Sequence, residues 1–285
     1  MIRLGVVGHR GYTRLPEVLH TLLRVAPELD IALQLESKMR DVAGEGAPLG
    51  APQDIDALLS LGGDGTLLRG VRFLAGRQVP VLGINLGRLG FLTSCSGLDL
   101  EAGLRRFAAG DYLAEARLAL DASLRDGTGV PRHRWHALND IVLHKGGFAR
   151  VVRLIVSSNG EEIARYSADG VIIATPTGST AYSLSAGGPV VEPSVDSILI
   201  TPISPHTLAT RPLVLAPTAT IMVRAEDNPQ ELLVTVDGQV GTTFAAGEAL
   251  EVSRAGHPVL IVRFPGATYF TRLRQKLGWG SRPQA

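Results

Sequence analysis

The sequence is short of cysteine and of long apolar runs. Cys95 is the single cysteine among 285 residues, which excludes an internal disulfide and any metal site built from several cysteines. A lone thiol suits a reducing compartment, so we expect a cytoplasmic protein. No apolar run is long enough to cross a bilayer, and residues 1–5 lead into a strand-like segment instead of a secretory leader. We therefore expect no membrane partner.

An excess of charge of one sign is also absent. The chain has 28 Lys and Arg against 27 Asp and Glu, a net charge of +1. This balance gives no electrostatic reason to expect nucleic acid as a partner. The hydrophobic fraction of 45% is ample for a globular core, and the length suggests about two domains.

Glycine, by contrast, is abundant, and its most informative cluster is Gly62-Gly63-Asp64-Gly65-Thr66. An apolar run at 57–61 predicts a buried strand that ends in this cluster, and helical spacing follows it. A strand, a glycine turn and a helix start together form a backbone arrangement that holds phosphate. A carboxylate inside such a loop would repel phosphate, so Asp64 indicates contact with a metal, a hydroxyl group or a proton to be removed. The alternative is that Asp64 or Thr66 only caps the helix.

Strand-like and helical segments alternate through the first 113 residues. A second glycine-rich turn lies at 87–92, after another short apolar strand. Alternation of this length predicts a parallel, layered α/β domain with its site at the carboxyl ends of the strands. The glycines in this region do not match the dinucleotide fingerprint.

Residues 114–265 predict a separate β-rich domain. Its strand-like segments, the last at 259–264, recur at spacings near ten residues with little helix, which indicates stacked or rolled sheets. Residues 266–285 predict a helix that packs back on the first domain. Its apolar face comprises Tyr269, Phe270, Leu273 and Leu277, with Arg272, Arg274 and Lys276 placed elsewhere.

Two further stretches concentrate polar groups next to apolar strands. Residues 175–180, Thr-Pro-Thr-Gly-Ser-Thr, follow an apolar strand directly, and with Tyr182 they offer hydroxyls, amides and an aromatic ring for a sugar and a base. The alternative is a solvated linker. Asn139-Asp140 combines an amide with a carboxylate that accepts from hydroxyls, although a simple turn is the alternative.

Weaker signals occur later in the chain. His206 follows Thr201-Pro202-Ile203-Ser204-Pro205, and it could be a structural histidine. Asp237-Gly238 is typical of a hairpin turn.

Taken together, these motifs resemble those of the NAD kinase family, in order along nearly the whole chain. The matching segments are 62–66, 83–85, 87–92, 139–144, 169–189, 201–206, 211–215, 237–239 and 276–279.

The resemblance implies phosphoryl transfer from ATP, or from polyphosphate in some members, to the 2′-hydroxyl of the adenosine ribose of NAD. It implies an N-terminal Rossmann-like α/β domain, a C-terminal β-rich domain and an active site between them. It also implies a divalent metal ion, expected to be magnesium, and a homodimer or homotetramer in which a neighbouring subunit completes the NAD site. A lipid or sugar kinase with the same glycine loop is one alternative, and a non-catalytic NAD-binding module is another.

The resemblance also implies roles for individual residues. Asp64 is expected to face the acceptor hydroxyl as general base or orienting acceptor. The phosphate and nucleotide loop comprises Gly62, Gly63, Gly65, Thr66 and Arg69. The expected NAD-binding residues are Asn139, Asp140, Arg150, Ser167, Asp169, Thr180, Ala181, Tyr182, Ser185 and Gln239.

Two positions depart from the family pattern. Asp140 stands where many members have glutamate, which shortens the acid by one methylene and keeps its charge. Ser167 is small and neutral where some NAD-restricted members carry a basic residue. This second departure predicts that NADH is accepted as well as NAD.

Overall fold

The computed structural model describes residues 1–88, 90–147, 151–207, 209–226, 231–266 and 268–279. Its helices are α1 Leu15–Glu28, α2 Ser37–Ala43, α3 Asp64–Leu74, α4 Leu100–Ala108, α5 Tyr182–Ser185 and α6 Tyr269–Leu277. The first ten strands are β1 Ile2–Gly8, β2 Ile31–Leu35, β3 Ala47–Pro48, β4 Ala57–Gly62, β5 Pro80–Asn85, β6 Cys95–Ser96, β7 Leu113–Arg117, β8 Leu120–Arg125, β9 Pro131–Ala137 and β10 Asp140–Lys145. The others are β11 Val152–Ser158, β12 Glu161–Ala168, β13 Gly170–Ala174, β14 Ile198–Ile203, β15 Leu213–Leu215, β16 Ile221–Ala225, β17 Leu232–Val236, β18 Val240–Phe244, β19 Ala249–Arg254 and β20 Val259–Arg263.

The chain forms two compact units. Unit 1 comprises Met1–Ala116 with Val259–Ala285, and unit 2 comprises Arg117–Pro258. Within the described residues, no helix has the length and apolar character needed to span a membrane.

Unit 1 is built on one sheet with the strand order β3-β2-β1-β4-β5-β20-β7, and β6 also pairs with β5. The pairs β1 with β2, β1 with β4, β4 with β5 and β5 with β20 are all parallel. The order reverses direction between β1 and β4, which is the topological switch point of a Rossmann-like sheet. The carboxyl end of β4, where Gly62 lies, therefore borders the crevice in which such sheets bind ligands.

The last strand and the last helix both belong to unit 1. The sequence pattern grouped residues 259–264 with the β-rich domain, but β20 pairs in parallel with β5 because its apolar run fits a fully buried strand. The predicted apolar face of α6 also needs correction. Arg272 is buried and Phe270 is 52% exposed, because the Arg272 guanidinium finds backbone carbonyl partners inside the unit.

Unit 2 consists of two antiparallel six-stranded sheets. Their orders are β15-β14-β13-β10-β17-β18 and β12-β11-β16-β19-β8-β9. Alternate apolar residues of both sheets form one shared core. The outer face of the first sheet is also covered, because Val142, Ile172 and Leu199 pack with Ala186 and Val191 from the segment after β13. The predicted fold class, an α/β domain with a β-rich domain and a C-terminal helix that returns to the first, is confirmed.

Candidate active site

The glycine loop joins β4 to α3 at the carboxyl end of a buried strand. Every residue of β4 is buried, and α3 begins at Asp64 with Gly63 as its N-cap. The N–H groups of Thr66 and Leu67 donate to the carbonyl of Gly63, and no side chain caps the helix. The alternative in which Asp64 or Thr66 merely caps α3 is therefore wrong.

The Asp64 carboxylate is held by the second glycine-rich turn. Oδ2 accepts a hydrogen bond from the Phe91 N–H at 2.8 Å, and Oδ1 accepts one from the Leu92 N–H at 3.0 Å. Gly90 makes this approach possible, since a Cβ at that position would lie 2.0 Å from Asp64 Oδ1. Residues 90–92 thus orient the acid that the sequence singled out, and each oxygen keeps a lone pair for a further partner.

Two buried arginines hold the opposite side of the same turn. Arg263 donates to the carbonyl oxygens of residues 91–93 at 2.8 to 3.0 Å. Arg272 also donates to the carbonyl of Phe91, at 3.1 Å, and to that of Thr93. Phe91 and Leu92, whose N–H groups donate to Asp64, therefore accept hydrogen bonds from guanidinium groups at their carbonyl oxygens, which fixes these residues from both sides.

Arg69 lies away from the glycine loop that it was expected to join. Its guanidinium pairs with Glu36 and donates to the Gly8 carbonyl at 2.7 Å. Arg69 and Glu36 line a cavity of about 510 Å³ near the ends of β1 and β2. Tyr12 lies next to both glycine turns instead, since Cβ atoms at Gly63 and Gly87 would approach its side chain within 3.2 and 2.8 Å.

In unit 2, Asn139 and Asp140 lie where the chain crosses from one sheet to the other. β9 ends at Ala137 in one sheet, and β10 begins at Asp140 in the other. Asn139 is half-buried and Asp140 is buried. The Asp237 carboxylate accepts hydrogen bonds from the N–H groups of Leu138, Asn139 and Asp140.

The hydroxyl-rich segment after β13 joins this cluster. The Thr175 N–H donates to the Asn139 carbonyl at 2.9 Å, and the Thr175 hydroxyl donates to the Leu138 carbonyl at 2.6 Å. Gly178 packs directly on Asn139, where a Cβ would lie 2.0 Å from its carbonyl oxygen. The segment is therefore bound to the sheet, and the linker alternative is wrong.

Asp140 connects the two stretches through its carboxylate, which accepts a hydrogen bond from the backbone N–H of Tyr182. Burial raises the pKa of Asp140 to about 7, the negative charge of Asp237 adds to the rise, and the Tyr182 N–H opposes it. Of the other predicted residues here, Thr180 and Ala181 are half-buried, and Tyr182, Ser185 and Gln239 are exposed. The segment thus offers a buried acid next to an accessible polar edge.

Asp169 lies at the opposite end of the same sheet, whereas Ser167 lies in β12, an edge strand of the other sheet. Asp169 precedes β13 and pairs with Lys145 at 2.7 Å, and the Ser167 carbonyl accepts from the His206 N–H at 2.8 Å. β10 runs from Asp140 at one end to Lys145 at the other. At about 3.3 Å per residue, Asn139, which precedes β10, is separated from Lys145 and its partner Asp169 by roughly 20 Å. The structure therefore does not bring all the predicted NAD-binding residues together, and Arg150 lies outside the described residues.

Sequence reasoning missed several residues that shape these sites. Arg263 and Arg272 were missed because buried arginines that bind carbonyls break the apolar pattern, although an arginine at the end of the run 259–262 is a usable signal. Tyr12 follows a short glycine turn and gave no motif. Asp237 was predicted to lie in a hairpin turn, which its position between β17 and β18 confirms, but it was given no role at the site although it lies in the matching segment 237–239.

Both halves of the chain match family models. Residues 32–112 match the ATP-NAD kinase N-terminal domain, and residues 138–264 match the ATP-NAD kinase C-terminal domain. A NAD kinase of Gemmatimonas aurantiaca is 61% identical over 279 residues, which cover 98% of this chain and 96% of that protein. A NAD kinase of Symbiobacterium thermophilum is 49% identical over 79% of each chain.

Two solved structures agree in fold. A yeast NADH kinase complexed with NADH has a TM-score of 0.88 at 28% identity and covers 99% of this chain and 89% of its own. An Archaeoglobus fulgidus NAD kinase in complex with ATP has a TM-score of 0.75 at 28% identity and covers 97% and 98%. Neither a lipid or sugar kinase nor a non-catalytic module is supported by these matches. The chain therefore belongs to the NAD kinase family and is a phosphotransferase that makes NADP from NAD.

Proposed function

We propose that Asp64 carries the reaction by accepting or orienting the proton of the adenosine 2′-hydroxyl while ATP donates its terminal phosphoryl group. The observation that carries this proposal is the carboxylate of Asp64, held by the N–H groups of Phe91 and Leu92 at the start of α3. Two backbone donors fix its direction without using its remaining lone pairs. A residue that only stabilised the turn would not need to lie in a glycine loop at the end of β4.

Phosphoryl transfer places its main demand on geometry. The transition state is loose and keeps charge on the peripheral oxygens, so positioning and charge neutralisation matter more than strong base catalysis. Gly62, Gly63 and Gly65 keep the loop free of side chains, and the positive end of the α3 dipole lies at the same place. These features support the assignment of residues 62–66 to the donor phosphates.

A divalent ion, which we propose to be magnesium, fits this loop as a companion of ATP. Among the described residues, no group of three or more His, Cys, Asp and Glu side chains forms a metal cage. Magnesium suits such a setting, since it commonly binds one or two carboxylates together with substrate phosphates. Asp64 is the carboxylate that the loop offers, and the ion would neutralise phosphate charge when bound.

We assign NAD to the polar cluster around Asn139. The half-buried amide of Asn139 offers a donor and an acceptor, and the neighbouring Thr180 and Tyr182 add a hydroxyl and an aromatic ring. Arg69 is not proposed as a direct phosphate ligand, because its guanidinium is engaged by Glu36 and the Gly8 carbonyl.

A homo-oligomer explains why the predicted NAD residues fall into two groups. Asp169 lies at the far end of the sheet from Asn139, roughly 20 Å away along β10, and Ser167 precedes it in β12 of the other sheet. We propose that a second copy of the chain supplies its Asp169 end to the NAD bound at the Asn139 end. The assembly is a dimer or tetramer in this proposal, and a cytoplasmic location suits its substrates.

Replacement of the acid tests the proposal. Asp64→Asn keeps size and polarity but accepts hydrogen bonds from only one oxygen, so kcat should fall by about a thousandfold or more. Incubation with NAD, ATP and magnesium, followed by measurement of NADP, reads this directly. The variant should stay folded and keep its NAD affinity, with a thermal midpoint lowered only by the loss of one hydrogen bond to the backbone. Near-normal turnover by folded Asp64→Asn would contradict the role.

A further inference from the structure

The turn between β17 and β18 contains a carboxylate that gathers three successive backbone amides. Oδ1 of Asp237 accepts hydrogen bonds from Asn139 at 2.7 Å and from Asp140 at 3.1 Å. Oδ2 accepts one from Leu138 at 3.2 Å. In return, the Asp237 N–H donates to the Asp140 carbonyl at 2.9 Å. One side chain thus fixes the whole crossover from β9 to β10.

The carbonyls of the same crossover are fixed by a different segment. Thr175 donates from its backbone to the Asn139 carbonyl at 2.9 Å and from its hydroxyl to the Leu138 carbonyl at 2.6 Å. Both peptide groups that flank Asn139 are therefore held. The direction in which the half-buried Asn139 side chain leaves the chain follows from these bonds, because its Cα and both neighbouring peptide planes are set.

Turn geometry alone does not require a carboxylate at position 237. Asp237 and Gly238 have φ values of 50° and 63°, and the Gln239 N–H donates to the Val236 carbonyl at 3.0 Å. Two successive positive φ values with this hydrogen bond are typical of a type I′ turn, which Asn-Gly or Gly-Gly would form as well. The Asp237 residue is only 9% exposed, and burial of a charge is costly unless hydrogen bonds compensate it. The three amides give that compensation, so the carboxylate serves the crossover and not the turn.

We propose that Asp237 is a positioning residue of the NAD site, which sets the orientation of the Asn139 side chain through the backbone of residues 138–140. It acts on binding of the dinucleotide and not on the phosphoryl-transfer step. The proposal rests on the assignment of NAD to the Asn139 cluster made above.

Two substitutions that preserve the hairpin test the proposal. Asp237→Asn keeps one acceptor oxygen, and Asp237→Gly keeps none, while both residues tolerate the positive φ. We expect the KM for NAD to rise by about tenfold in Asp237→Asn and by more in Asp237→Gly. The KM for ATP should change by less than about threefold in both.

Asp126→Asn is the matched control. Asp126 also accepts backbone N–H groups in a hairpin turn of unit 2, from Thr128 at 2.9 Å and Val130 at 3.0 Å, but between β8 and β9. The variant loses the same kind of hydrogen bond between a carboxylate and the backbone. Neither of these two hydrogen bonds involves residues 138–140. Its KM for NAD should equal that of the unmodified protein.

Two readouts separate positioning from general loss of structure. Hydrogen exchange should become faster at the amides of residues 138–140 in Asp237→Asn, with the strands of the other sheet unchanged. Removal of the Asp237 charge should also lower the pKa of Asp140, because that charge adds to the rise caused by burial, whereas the Tyr182 N–H opposes it. Any pH dependence of NAD affinity between about pH 5 and pH 8 should therefore move to lower pH.

Equilibrium binding of NAD, measured by calorimetry, keeps this test independent of turnover. If Asp237→Gly binds NAD as tightly as the unmodified protein and stays folded, the positioning role is wrong. If the KM values for NAD and ATP rise together and exchange increases across unit 2, the residue is only structural and the proposal is also overturned. Failure of the proposed function would show differently, as the absence of NADP from the unmodified protein.

Discussion

At the scale of single residues, the two acids Asp64 and Asp140 lie in different environments. Asp64 is half-buried and accepts hydrogen bonds from two backbone N–H groups at the start of a helix. Asp140 is 4% exposed and lies beside the negative charge of Asp237, which favours its protonated form. The first environment suits a group that must act as an acceptor, whereas the second suits a group that connects two segments.

The raised pKa of Asp140 predicts how stability depends on pH. In the folded protein the Asp140 carboxyl has a pKa of about 7, against the ordinary value of 3.8. The protonated carboxyl therefore contributes stability at low pH, and this contribution is lost as pH rises through about 7. Asp140→Asn has no charge to bury. Between about pH 5.5 and pH 8.5 the unmodified protein should therefore lose about 2 kcal/mol of unfolding free energy relative to the variant. Urea unfolding at both pH values measures this, and a constant difference would contradict it.

Ser167 predicts the choice between NAD and NADH. Its side chain is small and neutral, so it gives the site no group that separates the charged nicotinamide from the reduced one. The kcat/KM values for NAD and NADH should lie within about a hundredfold of each other, which is less than about 3 kcal/mol. Ser167→Arg introduces the basic residue that some NAD-restricted members of the family carry at this position, so it should widen the preference for NAD. A larger preference in the unmodified protein would exclude the hypothesis.

At the scale of elements, the candidate catalytic geometry depends on the segment at 90–93. Its N–H groups donate to the Asp64 carboxylate on one side. Its carbonyl oxygens accept hydrogen bonds from the guanidinium groups of Arg263 and Arg272 on the other side. Buried backbone groups without partners are costly, so these bonds define one conformation of the turn. A strand and a helix from the end of the chain thus support a loop near its beginning.

Gly90→Ala should separate activity from folding. The new Cβ would lie 2.0 Å from Asp64 Oδ1, so the turn or the carboxylate must move. We expect kcat to fall by about a hundredfold or more, because small displacements of a reacting group are costly to catalysis. Unfolding free energy should fall by about 1–3 kcal/mol.

Gly256→Ala is the control for this change. Gly256 is exposed, and a Cβ there would meet nothing within 4 Å. Its kinetics and stability should match those of the unmodified protein. If Gly90→Ala also kept its kcat, the turn would not be what orients Asp64.

At the scale of the whole molecule, the chain combines a parallel sheet with two antiparallel sheets. The parallel sheet presents the Asp64 loop at the carboxyl end of β4, and one antiparallel sheet presents polar groups at both of its ends. A closed homo-oligomer repeats every surface, so one copy can supply what another lacks. This is why the two separated groups of unit 2 point to an assembly.

Mixed subunits test the shared site. Asp64→Asn and Asp169→Asn should each be inactive alone, but in a mixed dimer one of the two sites has both residues intact. Random re-association of equal amounts should restore about a quarter of the unmodified activity. Light scattering should show a dimer or tetramer in every sample. No recovery of activity after confirmed subunit exchange would exclude the shared site.

The sequence by itself determined the local elements and the residues of the main loop, and it predicted the chemistry of that loop. Apolar strands that end in glycine, as at Gly62, predicted both the α/β layering and the phosphate loop, because both depend on residues close together in the chain. Asp64 was found in the same way, since an acid among glycines conflicts with a simple phosphate cradle. The β-rich domain followed from regular spacing of short apolar strands.

Only the tertiary structure decided which distant groups complete each site. Asp237 contacts Asn139 although 98 residues separate them, and Arg272 reaches the carbonyl of Phe91 across 181 residues. Such pairs leave no periodic signal, because a buried polar group is defined by its partners and not by its neighbours in sequence. The same reason explains why the sequence placed β20 in the wrong domain. Its apolar run suits a buried strand in either unit, and only its packing next to β5 shows to which sheet it belongs.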